Sequence, residues 1–417
     1  MTTLHTPAAG FDRVTLGIGA LPHDVDRDAL HLLDLVARLK SESPRILGYP
    51  GNRAFDYSFL APALAVIPNN VGDPDSSDPD DITHTKPYEA AVVRFLTDVA
   101  HGDPQRTYGY MTASSTEGIL FGLHIARRRL PRAPIYVSDQ AHFSIRKCAD
   151  LLRAELVTIP SRPDGSMDPD ALHVACLSRR RRDLLTGRMS PRGAIVLATI
   201  GTTMTGALDN PIALRAMAAA AGEVHVHADA ALGGLLAAYA PTPRPWDFSA
   251  GVDSLQMSMH KLLGSPVPGG VVLARADLVP AQKAGAYVGS VSDRTLSCSR
   301  SGLAPLIAWH GLRRLGEAGL CARVRRCQET AAYAINRLQE LGWRAWRADP
   351  SSITVVFDRP AQAVVDRWHL SCDEAGRCHL VTVPHVTRHS INALCDDLGP
   401  TQFATNSRAA RLVDNRI

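Results

Sequence analysis

Between residues 88 and 290 the chain alternates short apolar runs with helical stretches, and this restricts the fold more than any other feature. The runs are Ile135–Ser138, Leu156–Ile159, Ala194–Ile200, Val224–Ala228, Ser254–Met257 and Gly270–Ala274. Helical patterns lie between them at Thr116–Arg129, Ile145–Arg153 and Pro211–Ala221. Strands without a polar face, separated by helices, belong to a mainly parallel sheet covered on both sides. Such sheets hold ligands beyond the carboxyl ends of their strands, among the connecting loops. The expected class is α/β.

The flanks follow other patterns. From Asp24 to Lys40, Leu30, Leu33, Val36 and Leu39 recur at three-residue intervals, a helix that the Pro and Gly of SESPRILGYPG stop. Residues 73–87 are acidic, polar and Pro-rich, as in a linker or in a surface loop crossing towards a site. Past residue 300 a long helical segment, Leu303–Leu341, leads to two strand-like segments, Ser352–Phe357 and His379–Val383. The expected division is an N-terminal helical arm at 1–60, a large α/β domain at 61–295 and a small C-terminal α+β domain at 296–417.

Composition removes several classes of function. The net charge of +4 is spread along the chain, and the run Arg179 to Arg182 has no interleaved aromatics. It reads as a solvated helix face or loop, so no nucleic acid is expected. Ala230 to Ala240 is among the longest apolar stretches and is too short to cross a bilayer. The N-terminus has no basic region followed by an apolar one, so no secretory signal is expected. Eight cysteines form no CxxC pair, which suggests reduced thiols and a cytoplasmic protein.

Four strand-end signals carry chemistry. Lys261 follows the run Ser254–Met257 in Ser258-Met259-His260-Lys261; partial burial favours the neutral, nucleophilic amine. Asp229 follows Val224 and Val226 amid alanines that leave room for a flat ring, and a protonated ring nitrogen is one partner for such a carboxylate. A metal on His225, His227 and Asp229 is the competing reading, but no fourth ligand is evident, so no metal is expected. Ala113-Ser114-Ser115-Thr116-Glu117-Gly118 opens a helix, either as a phosphate site or as an ordinary N-cap. His142, in Asp139-Gln140-Ala141-His142-Phe143-Ser144, could stack on an aromatic cofactor. Together these supply a phosphate cradle, a stacking group, a ring-nitrogen partner and a Schiff-base amine, which is the set that pyridoxal 5'-phosphate requires.

With these residues in view, the sequence resembles the group II pyridoxal-phosphate decarboxylases of fold type I. It is most similar to the bacterial histidine decarboxylases and plant serine decarboxylases. The similarity runs from about Gly48 to Asp396 through LGYPGNRAFDY, IPNNVGD, TYGYMTASSTEG, DQAHFSIRK, TIGTTMTGALD, HADAALGG, SMHKLLGSPVPGG, CSRSG and SITVVF. The resemblance implies a large domain with a mainly parallel sheet, a small C-terminal domain, and decarboxylation of an L-amino acid to its amine. It implies that Lys261 binds the cofactor, Asp229 pairs with its ring nitrogen and His142 stacks on the ring. Ser115, Thr116, Ser258 and His260 would hold the phosphate, Thr203 would sit near the ring oxygen, and Ser299 would reach a phosphate across a homodimer interface with shared sites.

Tyr287 is the candidate Cα proton donor, with His260 the alternative; His385 and Asn70 are the candidate substrate contacts. The chain departs from the family pattern at Ala113, Ser114, Ser115, Ala141, Phe143, Met259, Cys298 and Leu303. These changes put histidine in question as the substrate and leave open a smaller or more apolar amino acid, or an intermediate of specialised metabolism. The rival readings are an aminotransferase, a carbon–carbon lyase or a decarboxylation-dependent oxidase on the same scaffold, and a non-catalytic scaffold protein.

Overall fold

A computed structural model describes residues 18, 20, 25–76, 83–282, 285 and 292–401. The chain forms two compact units, Met1–Pro44 and Arg45–Ile417. In the first, helix α1 spans Val25–Glu42, with Asp26 and Asp28 in its first turn and Lys40 in its last, where they complement the helix dipole.

The second unit begins with β1 (Asn69–Val71) and α2 (Lys86–Val99). Its central elements then alternate as β2 (Thr107–Thr112), α3 (Ser115–Arg129), β3 (Ile135–Ser138), α4 (Ser144–Leu151), β4 (Leu156–Ile159) and α5 (Pro169–Leu185). They continue as β5 (Ala194–Thr199), α6 (Pro211–Ala218), β6 (Val224–Asp229), α7 (Gly233–Ala238), β7 (Ser254–Ser258) and β8 (Gly270–Arg275). The seven strands are ordered β2-β8-β7-β6-β5-β3-β4. Strands β3 to β7 run parallel, and β8 is antiparallel to both β7 and β2. Two reversals bring the carboxyl ends of β2, β5, β6 and β7 to one edge of the sheet.

Strand β2 and helix α5 are among the elements that were not apparent in the sequence. Strand β2 is buried along most of its length, but its Gly and Thr residues blur the apolar run. Helix α5 begins at the Asp168 cap with Pro169 at its first position, and its apolar stripe is weakened by four arginines. Two of those arginines hold local structure: Arg179 pairs with Glu155, and Arg180 donates to the Met189 carbonyl at 2.6 Å.

The C-terminal part comprises β9 (Ser299–Ser301), α8 (Leu303–Glu340, broken at Gly316), β10 (Ala345–Trp346), β11 (Thr354–Asp358), α9 (Gln362–Arg367), β12 (Ser371–Cys372), β13 (Arg377–Val381) and α10 (Arg388–Leu398). Strands β10 to β13 form a four-stranded antiparallel sheet, and β9 pairs with β1 in a separate ribbon. One apolar cluster joins Val196, Val226 and Leu255 of the central sheet to Val355, Leu380 and Ile391 of the C-terminal part. Cys372 and Cys378 correct the expectation of reduced thiols. They lie opposite one another on β12 and β13, their Cα atoms 4.0 Å apart, and form a disulfide. Spacing alone could not reveal that register.

Candidate active site

Lys261 is the third residue of the loop after β7, where the chain leaves the sheet edge. Burial lowers the pKa of its ammonium, and the nearby Asp229 carboxylate opposes that shift. Asp229 ends β6, in register with Thr199 of β5 and Gln256 of β7. Both of its protein donors fall on one oxygen: Oδ1 accepts from Gln256 Nε2 at 2.5 Å and from the Ala231 N–H at 3.3 Å. The buried carboxylate therefore has its second oxygen, Oδ2, left for a further donor.

His142 sits in the loop after β3. Its Nδ1 accepts from the Ser144 N–H at 3.3 Å and lies 2.8 Å from Ser144 Oγ. That leaves the ring proton on Nε2. Burial lowers its pKa most, Asp229 raises it, and Lys261 and Lys147 lower it. His142 therefore senses both Asp229 and Lys261, which places three of the sequence-identified groups in one electrostatic neighbourhood.

The start of α3 adds the cradle. Ser114 caps it by accepting from the Glu117 N–H at 3.2 Å, and Glu117 Oε2 accepts from the Ala113 N–H at 2.8 Å. In a first helical turn the amides of Ser115 and Thr116 have no preceding turn to supply acceptors. Ser115 Oγ is hydrogen-bonded to Ser258 Oγ at the end of β7. Gly270 closes the row, because a Cβ there would lie 2.9 Å from Thr112 Oγ1 and 3.5 Å from Ser115 N. Two hydroxyls thus meet at the positive end of a helix, the kind of arrangement that suits an anion.

Residues 125–359 match the family model described as the pyridoxal-dependent decarboxylase conserved domain. The chain belongs to the pyridoxal-dependent decarboxylase family. This decarboxylase is 33% identical over 358 residues to the histidine decarboxylase of Pseudomonas entomophila (strain L48), covering 84% of this chain and 85% of that one. The histidine decarboxylase of Mesorhizobium japonicum is 33% identical over 378 residues, covering 89% and 98%. Among solved structures, an L-methionine decarboxylase from Streptomyces sp.590 superposes with a TM-score of 0.78 at 25% identity, covering 93% of this chain and 98% of that one. The Burkholderia pseudomallei sphingosine-1-phosphate lyase shares the fold, with a TM-score of 0.76 at 22% identity over 96% and 95% of the chains. The protein is a fold-type-I, pyridoxal-5'-phosphate-dependent carboxy-lyase acting on an amino acid. Among the described residues, no helix is long and apolar enough to cross a membrane.

The decarboxylase's site fits its cofactor on two observations: the Asp229 carboxylate with one oxygen committed to protein donors, and the hydroxyl-lined helix start beside it. His260 follows Met259 at the same edge, its Nδ1 facing the Gly269 carbonyl at 3.3 Å. Thr203 is exposed in the loop after β5, while its neighbour Thr202 is buried against Thr205. His225 and His227 turn to Ser254 Oγ, at 3.2 and 2.8 Å, rather than converging with Asp229 as a metal triad.

Other residues are placed elsewhere. Asn70 is fully buried; its amide donates to Glu89 Oε2 at 2.8 Å and accepts from the Thr85 N–H at 2.8 Å. These bonds tie β1 to α2 inside the protein. His385 is half-buried; its Nε2 donates to the Ile46 carbonyl at 3.2 Å and its Nδ1 accepts from the Arg53 N–H at 3.3 Å. Ser299 is exposed on the β1–β9 ribbon, where Asn69 Nδ2 reaches it at 3.4 Å. Tyr287 lies outside the described residues.

Two contributors escaped the sequence reading. Asn52 donates from its backbone N–H to the Lys261 carbonyl at 3.0 Å, a contact across more than two hundred residues that carries no local signal. Gln256 had a readable one: it lies two residues before Ser258 on one strand, and so on the same face.

Proposed function

We propose that this decarboxylase acts on an L-amino acid with an uncharged, apolar side chain, with Lys261, Asp229 and His142 as its catalytic residues. The observation that carries the catalytic assignment is Asp229, whose donors among the described residues, Gln256 Nε2 and the Ala231 N–H, both fall on Oδ1. The apolar replacements at Phe143, Met259 and Leu303, and the L-methionine decarboxylase among the structural neighbours, support an apolar side chain.

Pyridoxal 5'-phosphate, when bound, supplies a sink for the electron pair left at Cα as carbon dioxide departs. The protein's part is positional and electrostatic. Burial keeps the Lys261 amine readily neutral and hence nucleophilic. Asp229 Oδ2 would accept from the ring nitrogen, and an adjacent anion favours its protonated form. His142 would stack on the ring. Ser115, Thr116, Ser258 and His260 hold the phosphate, with Thr203 beside the ring oxygen. Tyr287 delivers the proton to Cα, and His260 is the second candidate.

The same reading includes a homodimer in which Ser299 reaches the partner's phosphate site. Phe59, Leu64, Val66 and Ile67 are exposed close together in sequence, and burial against a second copy would cover them. Screening the twenty common amino acids for amine and carbon dioxide tests the substrate. Amine from an apolar substrate, lost in Lys261→Ala, is expected. Turnover confined to charged amino acids, or products that are keto acids or aldehydes with peroxide, would overturn the reading.

A further inference from the structure

Gln256 is fully buried on β7, one strand from Asp229 and paired with it in register. Its Nε2 donates to Asp229 Oδ1 at 2.5 Å. A carboxylate only accepts, so the amide nitrogen must be the group that faces it. The other end of this side chain is unusual, because Oε1 is buried without a hydrogen-bond partner. A buried amide oxygen left unpaired is unfavourable, and an aliphatic residue would fill the space without that penalty.

The rotamer that creates this orphan is held from above. A Cβ on Gly118 of α3 would lie 2.8 Å from Gln256 Cβ and 3.4 Å from its Cγ, so the helix backbone rests directly on the side chain. Thr199, on the other side of Asp229 in the same row, cannot replace the donor; its Oγ1 is buried and unpaired as well. The histidines lower on β6 are committed to Ser254. Among the described residues Gln256 is the one side chain that donates to Asp229.

We propose that Gln256 is a positioning residue for the reaction: it occupies Oδ1 of Asp229 and so turns Oδ2 outward, in line for the cofactor's ring nitrogen. The inference rests on the reading of Asp229 as the ring-nitrogen partner. The orphaned Oε1 is then the cost of placing an amide N–H where a carboxylate must be oriented inside a dry sheet.

The test uses the holoenzyme of Gln256→Leu, with Gln256→Glu as a near-isosteric second variant and Asp229→Asn as reference. Outer partners of site-bound groups are commonly worth about 10- to 100-fold, and a fall in kcat of that order is expected for Gln256→Leu with KM changed less than about threefold. The visible spectrum of the bound cofactor and its pH titration should shift as well, which lost packing alone would not cause. In the Asp229→Asn background, Gln256→Leu should cost nothing further. Parental kcat and spectrum in both Gln256 variants, with Asp229→Asn inactive, would overturn the positioning role alone. An Asp229→Asn protein with parental activity and spectrum would instead remove the underlying assignment, and this inference with it.

Discussion

At the scale of single residues, the site depends on what burial does to each ionisable group. Lys261 becomes a better nucleophile because its ammonium loses hydration, and Asp229 limits the shift. Lys261→Ala should therefore abolish both turnover and the visible absorbance of bound cofactor. Asp229→Ala should lower kcat by orders of magnitude more than it weakens cofactor binding. Absorbance titration alongside amine assays measures both effects. The two histidines below Asp229 respond more strongly. Burial depresses His225 to about 4 and His227 to about 3, against 6.5 in an exposed ring. Between the folded and unfolded pKa values the unfolded chain binds protons that the folded one refuses, so stability falls as pH drops below about 6.5. Each such site adds a slope of about 1.4 kcal/mol per pH unit. His227→Gln should flatten the pH dependence of the unfolding free energy by about that slope between pH 6 and 4, as measured by denaturant titration. Parallel curves for variant and parent would refute it.

At the scale of elements, the sheet edge meets the start of α3, and the cap there serves both folding and binding. Ser114 and Glu117 satisfy orphan amides at the helix start, which leaves Ser115 and Thr116 to face the anion position. Ser114→Ala should lower stability by about 1 kcal/mol. It should also weaken binding of pyridoxal 5'-phosphate far more than binding of pyridoxal, which has no phosphate to lose. Equal losses for both ligands in fluorescence titrations would show that the helix start does not hold the phosphate. Much of this arrangement was legible beforehand. Strands β3 and β4 have the bounds their apolar runs suggest, and Ser115, His142, Asp229 and Lys261 all follow strands of one sheet. Pattern reads local periodicity well, so elements with clean periods were found. What stayed hidden depends on register: Gln256 beside Asp229, Cys372 opposite Cys378, and Asn70 turned into the core. A motif gives a residue's type and place in the chain, but not the direction its side chain takes once neighbouring strands are laid down.

At the scale of the whole second unit, residues 46–53 form a strap between the C-terminal sheet and the lysine loop. The Gly48 N–H donates to the His369 carbonyl at 3.1 Å, and the Gly48 carbonyl accepts from Ser371 Oγ at 3.0 Å and faces His379 Nε2 at 3.1 Å. A side chain at Gly48 would overlap the backbone of His369 and Ser371, which explains the glycine. At its other end the strap reaches the Lys261 and Leu262 carbonyls through the Asn52 N–H and Nδ2. His385 ties the two ends of the strap together by joining the Ile46 carbonyl to the Arg53 N–H. Replacing it with phenylalanine keeps the ring but leaves two partly buried backbone groups unpaired, a loss of about 1–3 kcal/mol. Because the strap touches the backbone and not the amine of Lys261, the bound-cofactor spectrum of His385→Phe should be unchanged. Thermal unfolding should shift down by several degrees. Looser positioning of the lysine loop should lower kcat by less than about tenfold. A substrate contact at His385 would behave differently, raising KM sharply with little change in melting temperature. Unfolding curves and kcat against KM for this one variant therefore separate a strap from a binding residue.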